Sequence, residues 1–200
     1  MGRAVWMMAA AGWLFATSVL ASEEAHDRGR RIAIELCAEC HGKDGRGISS
    51  DYPSLAGQHA DYIVKQIFNF KTGQRRNDEM EPVLEKLLAA DIRAVAQYFA
   101  ELPAGVVPGD DPVLIKEGRE LYFRGNPATG ITSCTACHGV YATGGARMPR
   151  MAGQNPVYLA NQLRSFIKRV RQNDRMMHVS LAAMTEREVL AVAAYLANEE

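Results

Sequence analysis

The chain has 200 residues, 23 Lys and Arg against 23 Asp and Glu, and four cysteines. A balanced charge with no concentrated basic face excludes a nucleic-acid binder. Four cysteines gathered in two clusters leave none for a separate disulfide framework or a lone catalytic thiol.

Arg3, the apolar stretch Ala4 to Ala16 and the small residues around Val19-Leu20-Ala21 follow the order of an export signal. Residues 1–21 are expected to be a signal peptide cleaved after Ala21. The run is short for a membrane span, which needs about 20 residues, and an uncleaved anchor is the alternative. Either outcome puts the functional part outside the cytoplasm, in the periplasm. No later segment is apolar enough to span a bilayer, so the mature chain is expected to be soluble or in peripheral membrane contact. Its length of about 180 residues suits one domain or two small ones.

A helix is expected from Ile32 into CAECHG, the motif at Cys37 to Gly42. A Gly- and Pro-rich loop follows around Gly45 to Pro53, then a helix over Tyr62 to Phe68. Ile92, Val95, Ala96 and Phe99 share one face at helical spacing. Leu102 to Pro112 has the Pro, Gly and Asp content of a linker. The order then repeats: a helix over Ile115 to Phe123, CTACHG at Cys134 to Gly139, a loop around Gly144 to Gly153, and a helix over Tyr158 to Ile167. Thr185 and Glu188 form a capping box ahead of the apolar face Val189, Val192, Ala193 and Leu196. No segment alternates as a strand.

Residues 55–78 and 151–174 align at an offset of 96, with Ala-Gly-Gln, a Tyr, a Gln, a Phe and Asn-Asp recurring in register. The chain therefore reads as a duplication: an all-α protein with domains at 22–103 and 113–200 joined by a linker at 104–112. Residues 22–101 hold 11 Lys and Arg against 14 Asp and Glu, and residues 102–200 hold 11 against 9. Domains this small bury little core and often need a staple.

Each motif is C-x-x-C followed by His, the pattern of c-type haem attachment. Cysteines about one helical turn apart can each form a thioether with a haem vinyl group. This assigns two covalently bound haem c groups to Cys37 with Cys40 and to Cys134 with Cys137, with His41 and His138 as proximal iron ligands. A Cys₄ zinc site, a thioredoxin-like redox pair and two local disulfides are the alternatives, and all three leave the repeated His unexplained.

Met is a soft sixth ligand that raises a haem's potential. Met80 follows His41 by 39 residues, and Met177 follows His138 by the same 39. Met176 is the runner-up, because it keeps the spacing from Asn-Asp that Met80 has. His178 would give a bis-His site, but the first copy has Glu81 there. Met148, Met151 and Met184 read as core filler, and His26 and His59 as bland. The carbonyls of Pro53 and Pro149 could accept the Nδ1–H of the two proximal His residues.

On CAECHG, YPSLAGQ, Asn77-Asp78 with Met80, then CTACHG, MPRMAGQ and Asn173-Asp174 with Met177, the chain resembles the dihaem cytochrome c4 family. The resemblance implies two class I cytochrome c domains with His/Met-ligated haems and a periplasmic shuttle, often serving a cbb3-type terminal oxidase. The second copy departs from the first by the extra residues RGNPATGITS before its motif. Two coordinatively closed irons favour a carrier over an enzyme, moving one electron per haem between a quinol-side donor and a terminal oxidase. The alternative is the haem subunit of a periplasmic oxidoreductase such as flavocytochrome sulfide dehydrogenase. A dihaem peroxidase would need one haem able to open.

Overall fold

The computed structural model describes residues 23–200; the expected signal peptide lies outside the described residues. Among them regular structure is helical, and β pairing is limited to the isolated bridges Asn126–Ile131 and Gly145–Met148.

Helix α1 runs through residues 23–41 in three parts: an α-helix over 23–32, a π turn at Ala33–Cys37 and a last α turn at Ala38–His41. It is followed by α2 (Ala60–Lys71), α3 (Met80–Glu85) and α4 (Ala89–Glu101). The second half supplies α5 (Pro112–Arg124), α6 (Thr135–His138), α7 (Pro156–Ile167), α8 (Arg175–Leu181) and α9 (Glu186–Ala197). Asp111 caps α5 through Val113 and Leu114 N–H, with Pro112 at the first helical position, so the irregular connection ends at Asp111. The expected Thr185–Glu188 capping box opens α9.

Each half has its own core. Ile63, Ile67 and Phe70 of α2 meet Ile92, Val95, Ala96 and Phe99 of α4. Leu159, Leu163 and Phe166 of α7 meet Val189, Val192, Ala193 and Leu196 of α9. The apolar faces expected from helical periodicity are thus the buried ones. Met151 and Met184 pack against the second core, but Met148 is 40% exposed and does not fill it. Its place in the bridged turn with Gly145 turns it outward.

The first and last helices of each half cross at a glycine. A Cβ at Gly29 would meet the Ala94 carbonyl of α4, and a Cβ at Gly118 would meet the Ala191 carbonyl of α9. The extra segment of the second half is a short hairpin tied by Asn126 and Ile131, which exchange backbone hydrogen bonds of 2.8 and 3.0 Å. Buried Ile131 anchors it and Asn126 Nδ2 donates to Glu188, while its tip at 127–130 is exposed.

The halves meet across a polar interface in which the repeated residues recur as pairs. Arg75 donates to Gln66 (2.8 Å), Tyr158 (3.1 Å) and Gln162 (3.1 Å). Arg171 donates to Gln162 (2.7 Å), Tyr62 (3.1 Å) and Gln66 (2.9 Å). Each guanidinium also stacks over the Phe of its own half, Arg75 on Phe70 and Arg171 on Phe166. Burial would raise the Tyr158 phenol, but the two guanidiniums beside it prevail and hold it below the usual tyrosine value. Arg171→Ala strips Tyr62, Gln66 and Gln162 of a donor, and the expected cost is about 2 kcal/mol in urea unfolding.

The repeated Ala-Gly-Gln sits where the connection passes between the halves. Gly57 and Gly153 both have positive φ, 68° and 71°. A Cβ on Gly57 would lie 2.7 Å from Ala104 Cβ, and one on Gly153 would meet the Gly105 carbonyl. The following glutamines, Gln58 and Gln154, are buried and bond across to the other half.

Candidate haem-binding sites

His41 ends α1 and is buried, 5% exposed, with Gly42 at φ 77° breaking the helix after it. Its Nδ1 lies 3.0 Å from the Pro53 carbonyl. A carbonyl only accepts, so Nδ1 carries the proton and Nε2 carries the lone pair. That Nε2 is buried without a hydrogen-bond partner among the described residues. A buried, unpaired lone pair is costly, and a metal on that nitrogen removes the cost. Burial lowers the imidazole's basicity, against the opposing Pro53 contact, which keeps the ring neutral and able to ligate.

His138 ends α6 in the same way, 7% exposed, before Gly139 at φ 77°. Burial lowers its basicity too, opposed by the Pro149 carbonyl and by Asp174. Its Nδ1 lacks a well-aligned hydrogen bond in this structure, so the Pro149 contact is looser than that of Pro53. Tyr122 donates to the Gly139 carbonyl at 2.6 Å and fixes the turn behind His138.

Cys37 and Cys134 are half-buried against their respective cores. Burial pushes both thiols up to about 11. Zinc binding and dithiol exchange both need thiolate, and among the described residues no three His, Cys, Asp or Glu side chains converge as a metal cluster. The environment therefore speaks against a Cys₄ zinc site. Cys40 is half-buried and Cys137 exposed.

Met80 opens α3 and packs, half-buried, against the core that also holds Cys37. Met177 in α8 packs likewise against the core that holds Cys134. Each Met N–H is received by a side-chain oxygen three residues earlier: Asn77 for Met80 (2.8 Å) and Asp174 for Met177 (3.3 Å). Met176 is 66% exposed. The recurring Asn-Asp pairs are therefore not equivalent in place: Asn77 corresponds to Asp174, while Asn173 turns to the interface and donates to Gln66. His178 bonds the Phe166 carbonyl through Nδ1 at 2.8 Å. His59, read from the sequence as bland, reaches across the interface to the Thr143 carbonyl at 2.6 Å.

The residues fit a covalently held haem in each half. Residues 24–99 match the family "Cytochrome C oxidase, cbb3-type, subunit III", and residues 115–199 match "Cytochrome c". The chain is 37% identical to cytochrome c4 of Thiocapsa roseopersicina over 84% of this chain and 89% of that one. It is also 37% identical to the thiosulfate dehydrogenase electron acceptor of Stutzerimonas stutzeri, over 85% of this chain and 82% of the relative. The crystal structure of reduced recombinant cytochrome c4 from Pseudomonas stutzeri superposes with a TM-score of 0.83 at 30% identity, covering 88% of this chain and 98% of that one. The chain belongs to the cytochrome c4 family of electron-transfer proteins, two cytochrome c domains carrying two covalently bound haem c groups.

Proposed function

We propose that the protein is a periplasmic carrier that moves one electron per haem in a respiratory chain, from a quinol-side donor toward a terminal oxidase. Residues 1–21 direct its export. In this assignment Cys37 and Cys40 hold one haem and Cys134 and Cys137 the other. His41 and His138 would ligate iron through Nε2, and Met80 and Met177 would each supply a second ligand from the chain.

The observation that carries the proposal is the matched set in each half: a buried His ending a C-x-x-C-H turn, and a half-buried Met on the core that holds the first Cys. The bound haem supplies an Fe(III)/Fe(II) couple. The Pro53 carbonyl holds His41 in the tautomer that leaves Nε2 free. The capped turns before Met80 and Met177 fix the backbone from which the two thioethers extend. With two ligands from the chain on each iron, no position would remain for a substrate, which favours a carrier over an enzyme. Among the described residues no helix is long and apolar enough to cross a membrane.

The two motif edges differ. Val140 (55% exposed) and Tyr141 (70% exposed) follow the second motif where exposed Lys43 and Asp44 follow the first, so the domains offer partners different surfaces. The test is a potentiometric titration of the exported protein followed by visible spectra. Two one-electron steps are expected, with a thioether-to-iron band in the oxidised protein. Exported protein without haem would refute the proposal.

A second reading, electron acceptor of a thiosulfate dehydrogenase, is favoured by the Stutzerimonas relative of that name. Reduction of this protein by thiosulfate and purified thiosulfate dehydrogenase in stopped flow, faster than by a quinol-oxidising membrane fraction, would select it.

A further inference from the structure

Gln154 of the second domain grips Ser54 of the first by both backbone groups. Ser54 N–H donates to Gln154 Oε1 at 2.8 Å, and Gln154 Nε2 donates to the Ser54 carbonyl at 3.0 Å. Gln58 of the first domain grips Arg150 of the second in the same way, at 2.8 and 2.9 Å. The amide orientations are fixed by their partners, because a backbone N–H can only donate and a carbonyl only accept. Both glutamines are buried, 6% and 7% exposed.

Ser54 N–H belongs to the same peptide group as the Pro53 carbonyl, and that carbonyl accepts the His41 Nδ1–H at 3.0 Å. The chain of bonds therefore runs from the Gln154 carbonyl through one peptide unit to the imidazole. An acceptor on the N–H of a peptide polarises it and makes its carbonyl a stronger acceptor. A stronger acceptor on Nδ1–H makes the imidazole a better electron donor at Nε2, which stabilises ferric over ferrous iron.

We propose that Gln154 is a positioning residue that tunes the proximal histidine of the opposite domain through the Pro53–Ser54 peptide. This rests on the assignment of His41 and His138 as proximal ligands. The two domains are then not independent carriers joined by a linker: the first haem's potential depends on a glutamine of the second domain. Gln58 grips the Pro149–Arg150 peptide in the same way, but His138 Nδ1 makes no hydrogen bond to it, so the relay is complete in the first domain alone.

The test uses the full-length holoprotein, with each haem assigned by NMR through contacts to Met80 or Met177. Gln154→Leu removes the acceptor on Ser54 N–H. It is expected to raise the ferrous-to-ferric ratio of the first-domain haem about threefold at fixed poise, to leave the second-domain haem unmoved, and to weaken the His41 Nδ1–H hydrogen bond seen by NMR. Gln154→Glu keeps an acceptor on that N–H, so its first-domain ratio stays at or below the parent's. Gln58→Leu is the control: it removes the same grip where the bond to His138 is missing, and is expected to leave the second-domain ratio unmoved. A purely structural role would have Leu and Glu variants shift the ratio alike; that result, an unmoved first-domain haem in Gln154→Leu, or a shift in the second-domain haem alone would overturn the relay. If the thioether-to-iron bands persist while the ratios stay put, the relay fails and the axial assignment stands. Exported protein that carries no haem would sink both.

Discussion

Met177→Ala protein is expected to lose the thioether-to-iron absorption of one haem and to show that haem's potential lowered by on the order of 0.1–0.3 V, a fraction of the roughly 0.8 V that axial ligands span. Met80→Ala should do the same to the other haem. The sign follows from ligand chemistry: a thioether is a soft, weak donor that favours Fe(II), so water or an added ligand in its place favours Fe(III). Met176→Ala is the control. Met176 is 66% exposed, while Met177 packs on the core against which Cys134 also packs. Visible and far-red spectra with a redox titration check all three. A lost band in Met176→Ala with an intact band in Met177→Ala would reverse the assignment.

Gly118→Ala is expected to destabilise the second domain by about 3 kcal/mol, because the added Cβ meets the Ala191 carbonyl of α9 rather than a side chain that can swing away. The helix propensity that Ala gains, about 1 kcal/mol, opposes this and is outweighed by the forced separation of α5 from α9. Gly29→Ala should act likewise on the first domain, where the obstacle is the Ala94 carbonyl. Gly145→Ala, with nothing within 4 Å of its Cβ, should stay within about 0.5 kcal/mol of the parent. Urea unfolding of the oxidised holoprotein compares the three, and equal midpoints for Gly118→Ala and Gly145→Ala would remove the close crossing from the account.

Much of the fold was legible because its signals are local. The faces Ile92-Val95-Ala96-Phe99 and Val189-Val192-Ala193-Leu196 follow from helical period, and the Thr185–Glu188 box from spacing alone. The duplication was legible too, but not what its polar residues do. Tyr62, Gln66, Gln58 and their counterparts recur in register whether they serve their own domain or the neighbour's, and only the folded arrangement shows the second. Arg75 and Arg171 were hidden for a further reason: a surface arginine and one that bridges two domains look the same in sequence, and the partners here are distant Tyr and Gln rather than a carboxylate. The Asn-Asp register misled by one position, since a cap needs an acceptor three residues ahead of the Met and Asp174 can provide it as well as Asn77 does. Met148 misled because a bridged turn outranks the usual burial of methionine. At the proposed sites, the motif spacing nominates the four Cys and two His, and the shared interval of 39 residues nominates Met80 and Met177.

The central claim is that both irons are closed by ligands from the chain, and carbon monoxide tests it most directly. The fully reduced protein at neutral pH is expected to show no spectral change under carbon monoxide, because the proposed ligands, His41 with Met80 and His138 with Met177, would leave neither iron open. A carbon monoxide adduct forming on either haem at rest would contradict it.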